Sequence, residues 1–226
     1  MQRQYSELFR IRLGEAAGGQ PTSLVKAMRI TSANREVVEA FAQVYGGRPR
    51  KWAEKDQHQV KIPIDRLPIM LLPGQNVSQY MEHWKGSTCD RRCNGQVMER
   101  YNGKPSDDVC ACGPDRTIDN RLCKPVSRLT VTCPEVPVVG IGLLTTRSAV
   151  AAPEFAGQLA LAQPLLDQGL AVSAILRVDR LVGPERVYNV PRLELTGRAV
   201  SLGELAESNH HPELAPAAPA AIESGD

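Results

Sequence analysis

Residues 8–13, Leu-Phe-Arg-Ile-Arg-Leu, alternate apolar and basic side chains, the period of a half-buried strand, and the alternation breaks over Gly14 to Pro21. Leu24 to Ile30 predicts a second short strand that returns as its partner. From Asn34 to Tyr45 the period becomes helical. Val37, Val38, Phe41, Val44 and Tyr45 share one face, Ser32 or Asn34 can cap the first turn, and Gly46-Gly47 ends it. That face is expected to be core, and the basic stretch Arg48 to Lys51 after it a solvated connector. Val60 to Ile64 and Ile69 to Leu72 are separate strands punctuated by Pro63, Pro68 and Pro73, whose missing N–H groups assign them to edges or bends.

Gln79 to Trp84 runs into a polar, cysteine-rich stretch in which Gln96 to Tyr101 predicts a single strand. In Val126 to Cys133, Leu129, Val131 and Cys133 occupy one face and Arg128, Thr130 and Thr132 the other, which makes Cys133 a core thiol. Val138 to Thr146 is a further strand. A helix is expected from Pro153 to Gln168, with Pro164 kinking or splitting it. Ala174 to Val182 and Val187 to Leu195 face each other across Gly183-Pro184 as a hairpin. This order predicts an α+β fold of mostly antiparallel short strands with two principal helices and a cysteine-rich insertion. The expected organisation is an N-terminal strand-helix-strand region at 1–83, the cysteine-rich segment at 84–125, a C-terminal strand-helix-hairpin region at 126–203, and a disordered acidic, Ala/Pro-rich tail at 204–226, where His210-His211 are solvated.

Composition narrows the class. The most apolar run, Leu159 to Ile175, is interrupted by Pro164, Asp167, Gln168 and Gly169, so no segment is expected to span a membrane. The N-terminus has no apolar core of a secretory signal, which predicts a cytoplasmic, reducing setting. The net charge of +2 hides an asymmetry: five of the 25 acidic residues lie beyond Leu202, where there is no Lys or Arg, so the body carries +7. That is a thin basic surface for a protein gripping DNA by its phosphates.

Five of the six cysteines, Cys89, Cys93, Cys110, Cys112 and Cys123, fall in the turn-rich segment. Thiols there are placed for bonding rather than packing. In a reducing interior their spacing suits a tetrahedral soft metal, with structural zinc as the expected cofactor and disulfides or unliganded thiols as the alternatives. Asn94-Gly95, Gly113-Pro114 and Lys124-Pro125 supply turns after Cys93, Cys112 and Cys123. The expected ligands are therefore Cys93, Cys110, Cys112 and Cys123, with Cys89 the substitute and His83 a more distant one. Such a set staples the insertion and leaves no open coordination position. The chain also lacks a G-x-S-x-G elbow, a phosphate-binding glycine loop with its Lys, and H-E-x-x-H. Asp107-Asp108, the acidic pair near the cysteines, are expected to form a turn. No enzyme activity is expected.

The stretches F-R-I-R-L-G, V-Y-G-G, L-P-I-M-L-L-P-G-Q-N-V-S-Q-Y, C-D-R-R-C-N-G, C-A-C-G-P, C-K-P-V-S-R-L-T-V, V-P-V-V-G-I-G-L-L and V-Y-N-V-P-R-L-E-L resemble the actinophage recombination directionality factors, up to about Gly197. Members often carry W-x-L where this chain has Ile141-Gly142-Leu143-Leu144. The resemblance implies a non-catalytic control protein with no small-molecule substrate. Its partner would be a phage-encoded large serine integrase on attachment-site DNA, with DNA engaged only through that complex. It would favour excision (attL with attR) over integration (attP with attB), by a shift between synaptic complexes. Trp84, Arg91, Arg92 and Tyr101, of residue types that dominate interfaces, are the candidate partner-binding residues. The competing reading is a zinc-ribbon-like module that binds nucleic acid directly through Arg48 to Lys51 and the arginines around Cys93.

Overall fold

A computed structural model describes residues 7–13, 27–52, 55–74, 76–112, 122–182, 187–201 and 203–204. The elements in order are β1 (Glu7–Arg12), β2 (Met28–Ser32), α1 (Arg35–Tyr45), β3 (Arg50–Trp52), β4 (Gln57–Ile62), β5 (Arg66–Leu71), β6 (Val77–Lys85), β7 (Thr88–Cys93), β8 (Met98–Tyr101), β9 (Lys104–Pro105), β10 (Lys124–Val131), β11 (Ile141–Thr146), α2 (Ala151–Asp167), β12 (Leu170–Val182) and β13 (Val187–Ser201). The expected Gly14–Pro21 break, the Gly113-Pro114 and Gly183-Pro184 turns, and the tail beyond Glu204 with His210-His211 lie outside the described residues.

Ten strands form one sheet in the order β3-β4-β2-β1-β11-β10-β6-β7-β8-β9, antiparallel except where β1 meets β11, and β13-β12-β5 form a second, antiparallel sheet. Residues directly opposite each other on neighbouring strands point to the same face. The register therefore strings Val60, Ile30, Ile11, Leu144, Leu129 and Val77 into one row across six strands. That row is the floor of the core. At one end α1 covers it, with the Phe41 ring set edge-on to Phe9 at 4.9 Å; α2 and the inner face of the second sheet complete a single apolar cluster. Phe9 in turn lies over Gly142, where an added Cβ would come 2.2 Å from its ring.

Both helices start and stop for local reasons. Asn34 accepts the Glu36 amide at 2.9 Å, and the Gly46 amide closes the last turn of α1 on Ala42 O with φ at +80°. Val37, Val38 and Phe41 are buried as expected, joined by Ala40, whereas Val44 is exposed at the rim. Helix α2 starts on the Ser148 hydroxyl, which accepts the Ala151 amide, and Pro164 sits inside a helix assigned without interruption from Ala151 to Asp167 rather than dividing it. Pro68 lies in β5, the edge of the smaller sheet, as a residue without an N–H should. Arg50 and Lys51 are exposed, and Arg50–Trp52 adds an outermost strand.

Two expectations around the cysteines are corrected. Lys124-Pro125 is not a turn: it opens β10. Proline is tolerated there because β10 pairs with β6 alone at Pro125, and its ladder to β11 begins only at Ser127. The insertion holds a three-strand meander, β7-β8-β9, instead of one strand.

Candidate metal centre

The meander continues the large sheet from β6, and the thiols collect on one of its faces. Met81, Cys93 and Met98 are in register across β6, β7 and β8. Cys123, immediately before β10, lies two residues from Pro125, which also faces Met81. The loop after β9 brings in Cys110, whose amide donates to Gln96 O at 2.7 Å, and Cys112. Cys93, Cys110, Cys112 and Cys123 are all buried, and their sulfurs lie within 4.8 Å of one another. Together with Met81 and Met98 they form a small cluster separate from the main core. All six cysteines are unbridged.

The donor set fits a metal ion. A tetrahedral zinc with Zn–S near 2.3 Å has sulfur–sulfur edges of about 3.8 Å, so the thiols need to close by roughly 1 Å or less. Backbone amides already point at the sulfurs: Gly95 N–H donates to Cys93, Cys112 N–H to Cys110, and Cys123 N–H to Cys112 at 3.2 Å. Such bonds favour anionic sulfur. The Asn94-Gly95 turn that aims the first of them is held by Asn94 Oδ1, which accepts the Gln96 and Val97 amides, with Gly95 at φ +105°. Among the thiols burial pushes Cys93 up to about 11 and raises Cys123 further. Burial also works to raise Cys110, but the Cys112 amide and the thiols of Cys93, Cys112 and Cys123 all hydrogen-bond to it and hold it below the usual range.

Cys89 is not among the four, and a β-bulge explains why. Across β6 and β7 the pairs are Met81–Cys93, Glu82–Arg92 and His83–Arg91, and the next is Trp84–Cys89, so Asp90 is an extra residue. In a regular strand Cys89 and Cys93, four apart, would share a face. The inserted residue moves Cys89 to the opposite one, beside Glu82, where its Sγ donates to Arg91 O at 3.4 Å. Asp90 secures the bulge: its buried carboxylate binds His83 Nδ1 at 3.2 Å and Lys85 Nζ at 3.1 Å, and its carbonyl accepts the Asn102 amide. His83 is thus engaged by Asp90 and is not among the four clustered residues.

On the Cys89 face lies an ionic network that the sequence did not reveal. Glu82 is fully buried and accepts from Arg92 Nε, from both terminal nitrogens of Arg128 and from Trp84 Nε1, each at 2.9 Å. Burial pushes the carboxyl upward, but the Arg128 and Trp84 hydrogen bonds with the nearby charges of Arg128 and Arg92 hold it below the usual carboxylate range. Arg92 also stacks on Tyr80 at 4.9 Å. Hence Trp84 and Arg92 are committed to holding the sheet. Arg91 takes the other face, under Tyr101 at 5.1 Å and in reach of Cys110. Tyr101 is exposed, as are Val97, Leu122 and Val109, the last at 82%. Val97 and Val109 bridge to each other, and Tyr101 and Leu122 are further exposed apolar side chains of the cysteine segment. Separately, Cys133 is buried in the main core, as its strand pattern predicts.

A family model described as Gp3-like, recombination directionality factor-like, matches residues 10–195. No curated protein and no solved structure matches the chain. No helix among the described residues is long and apolar enough to cross a membrane.

Proposed function

The chain belongs to the Gp3-like family of recombination directionality factor-like proteins, and on that premise we propose that it binds a phage-encoded large serine integrase on attachment-site DNA. There it promotes recombination of attL with attR and suppresses that of attP with attB. It does no chemistry itself: four thiolates around one zinc ion leave no position for water or substrate. Zinc, held by Cys93, Cys110, Cys112 and Cys123, would supply only a fixed tetrahedral junction joining β7, the loop after β9 and the start of β10.

The observation that carries this reading is the exposed apolar surface of the cysteine segment. Val97, Tyr101, Val109 and Leu122 leave apolar surface exposed on a segment whose own core is little more than sulfur. Exposed apolar side chains concentrated on one segment favour contact with another protein. Of the candidate partner residues, Tyr101 belongs to that surface directly, Arg91 supports it from beneath, and Trp84 and Arg92 act through the sheet.

The test is a gel shift on attachment-site DNA with and without integrase. The factor should change the mobility of the integrase complex and leave DNA alone unshifted. A Tyr101→Ala, Val109→Asp variant should keep its zinc and lose the effect. A shift of naked DNA by the factor would favour direct nucleic-acid binding instead.

A further inference from the structure

The two faces of the large sheet are unequal. One packs on α1 and α2 and carries the thiol cluster. On the other, over β1 to β4, the register sets cations side by side. Arg10, Thr31, Gln59 and Arg50 form one row across these strands, and Arg12, Arg29 and Lys61 stand directly opposite one another in the next. Like charges so placed repel, and the sheet gives up stability to hold them there. Trp52, on the same face as Arg50, gathers two of them: its ring lies under Arg12 at 5.1 Å and under Arg29 at 4.6 Å. Arg12 Nε also donates to Thr31 Oγ1 at 3.2 Å, and a terminal nitrogen of Arg29 to Gln59 Oε1 at 3.4 Å. The four strands contain one carboxylate, Glu7, which is bonded to Arg10. The excess of positive charge does not depend on the loops: outside α1, residues 7–62 hold nine Lys and Arg and four Asp and Glu, Glu15 and Glu54 included.

We propose that this face of the large sheet binds phosphate, and that it meets the DNA backbone when the factor sits on the integrase complex. The inference rests on the function proposed above and adds a second contact to it. Guanidinium forks match phosphate oxygens, and strands about 4.8 Å apart put Arg12, Arg29 and Lys61 within roughly 10 Å, close enough to grip adjacent phosphates. A few such contacts are weak by themselves, so naked DNA stays unshifted. Integrase supplies the effective concentration at which they count.

The test measures affinity of the factor for integrase, free and on attL DNA, from about 50 to 200 mM salt, the range over which phosphate contacts are lost. Arg12→Gln with Lys61→Gln removes two cations, and Arg12→Lys with Lys61→Arg keeps both. Arg50→Gln, at the exposed edge strand, removes one without touching the stacked pair. Arg35→Gln, on α1 at the opposite face, controls for net charge. On DNA-bound integrase the slope of log affinity against log salt should fall by about 1 for each cation removed from the sheet face. The charge-keeping pair and Arg35→Gln should retain the wild-type slope, and affinity for free integrase should be the same in all. An unchanged slope in both Arg50→Gln and the double glutamine variant would overturn the inference, as would an equal fall in Arg35→Gln. A loss of the same size on free and DNA-bound integrase would overturn it too, assigning the face to an acidic surface of the integrase. Failure of the wild-type protein to bind integrase in either form would instead remove the proposed function.

Discussion

Single residues decide which side of the sheet each group occupies, and Cys89 is the sharpest instance. Because the bulge at Asp90 turns it away from the other thiols, Cys89→Ser should retain one zinc per chain. Serine at Cys93, Cys110, Cys112 or Cys123 should lower the metal content well below one; elemental analysis of the five purified variants gives the comparison. Gly142 is a second residue-scale constraint. Its place is imposed by the Phe9 ring, which an alanine Cβ would meet at 2.2 Å, so Gly142→Ala should cost about 1–3 kcal/mol through overpacking. If the ring is the cause, Phe9→Leu introduced together with Gly142→Ala should destabilise by less than the two changes summed, as read from urea midpoints.

At the scale of elements, the join between the meander and the body depends on Glu82, which links β7, β6 and β10 through Arg92 and Arg128. Breaking a buried pair leaves a charge without its partner, so Glu82→Gln should destabilise by about 3–5 kcal/mol. The pH dependence follows from the direction of its shift. A carboxylate held low in the fold contributes fully above the unfolded value of about 4.3 and loses that contribution as pH falls through the folded value. The urea midpoints of wild type and Glu82→Gln should therefore be well separated at neutral pH and converge below about pH 4; parallel curves would mean that Glu82 matters only by shape. Elements with a strong period were legible in advance: β1, α1, β10 and the β12–β13 hairpin all announce themselves by alternation or helical spacing. The thiol set was also legible from spacing. The meander was not, because Thr88–Cys93 has no apolar alternation, and its strand character comes from its neighbours and from the sulfur beneath it. Neither was the Glu82 network. One glutamate among many polar residues carries no mark of burial until the register sets two arginines and a tryptophan around it.

For the whole molecule, the separation of the two clusters is the decisive fact. The main core draws on both sheets and both helices and contains none of the four clustered thiols, whereas the meander buries Cys93, Met98, Cys110, Cys112 and Cys123 with Met81 packed against them and little else. So small a cluster offers little apolar area to offset the entropy of ordering its loops, and a metal ion held by the four thiols would supply the remainder. Zinc removal should therefore act locally. Under a strong chelator at neutral pH, hydrogen exchange should accelerate by an order of magnitude or more in β7, β8, β9 and the loop carrying Cys110 and Cys112, while β1, β2, α1 and the β12–β13 hairpin keep their protection. Val97, Tyr101, Val109 and Leu122 are carried on that segment, so on the proposed function the chelated protein should stay folded yet no longer alter the mobility of the integrase complex, and zinc should restore both properties. Uniform loss of protection across the chain would mean that the two clusters unfold as one cooperative unit. Intact protection of β7–β9 without metal would mean that the ladder alone holds the segment. On the proposed function, the direction of recombination would be a matter of which protein–DNA complex the bound factor favours, and a factor can shift such a balance only by as much as it binds one complex better than the other. A surface held rigid by a metal loses less entropy on docking than a loose one, and more of its contact energy remains to discriminate between the two complexes.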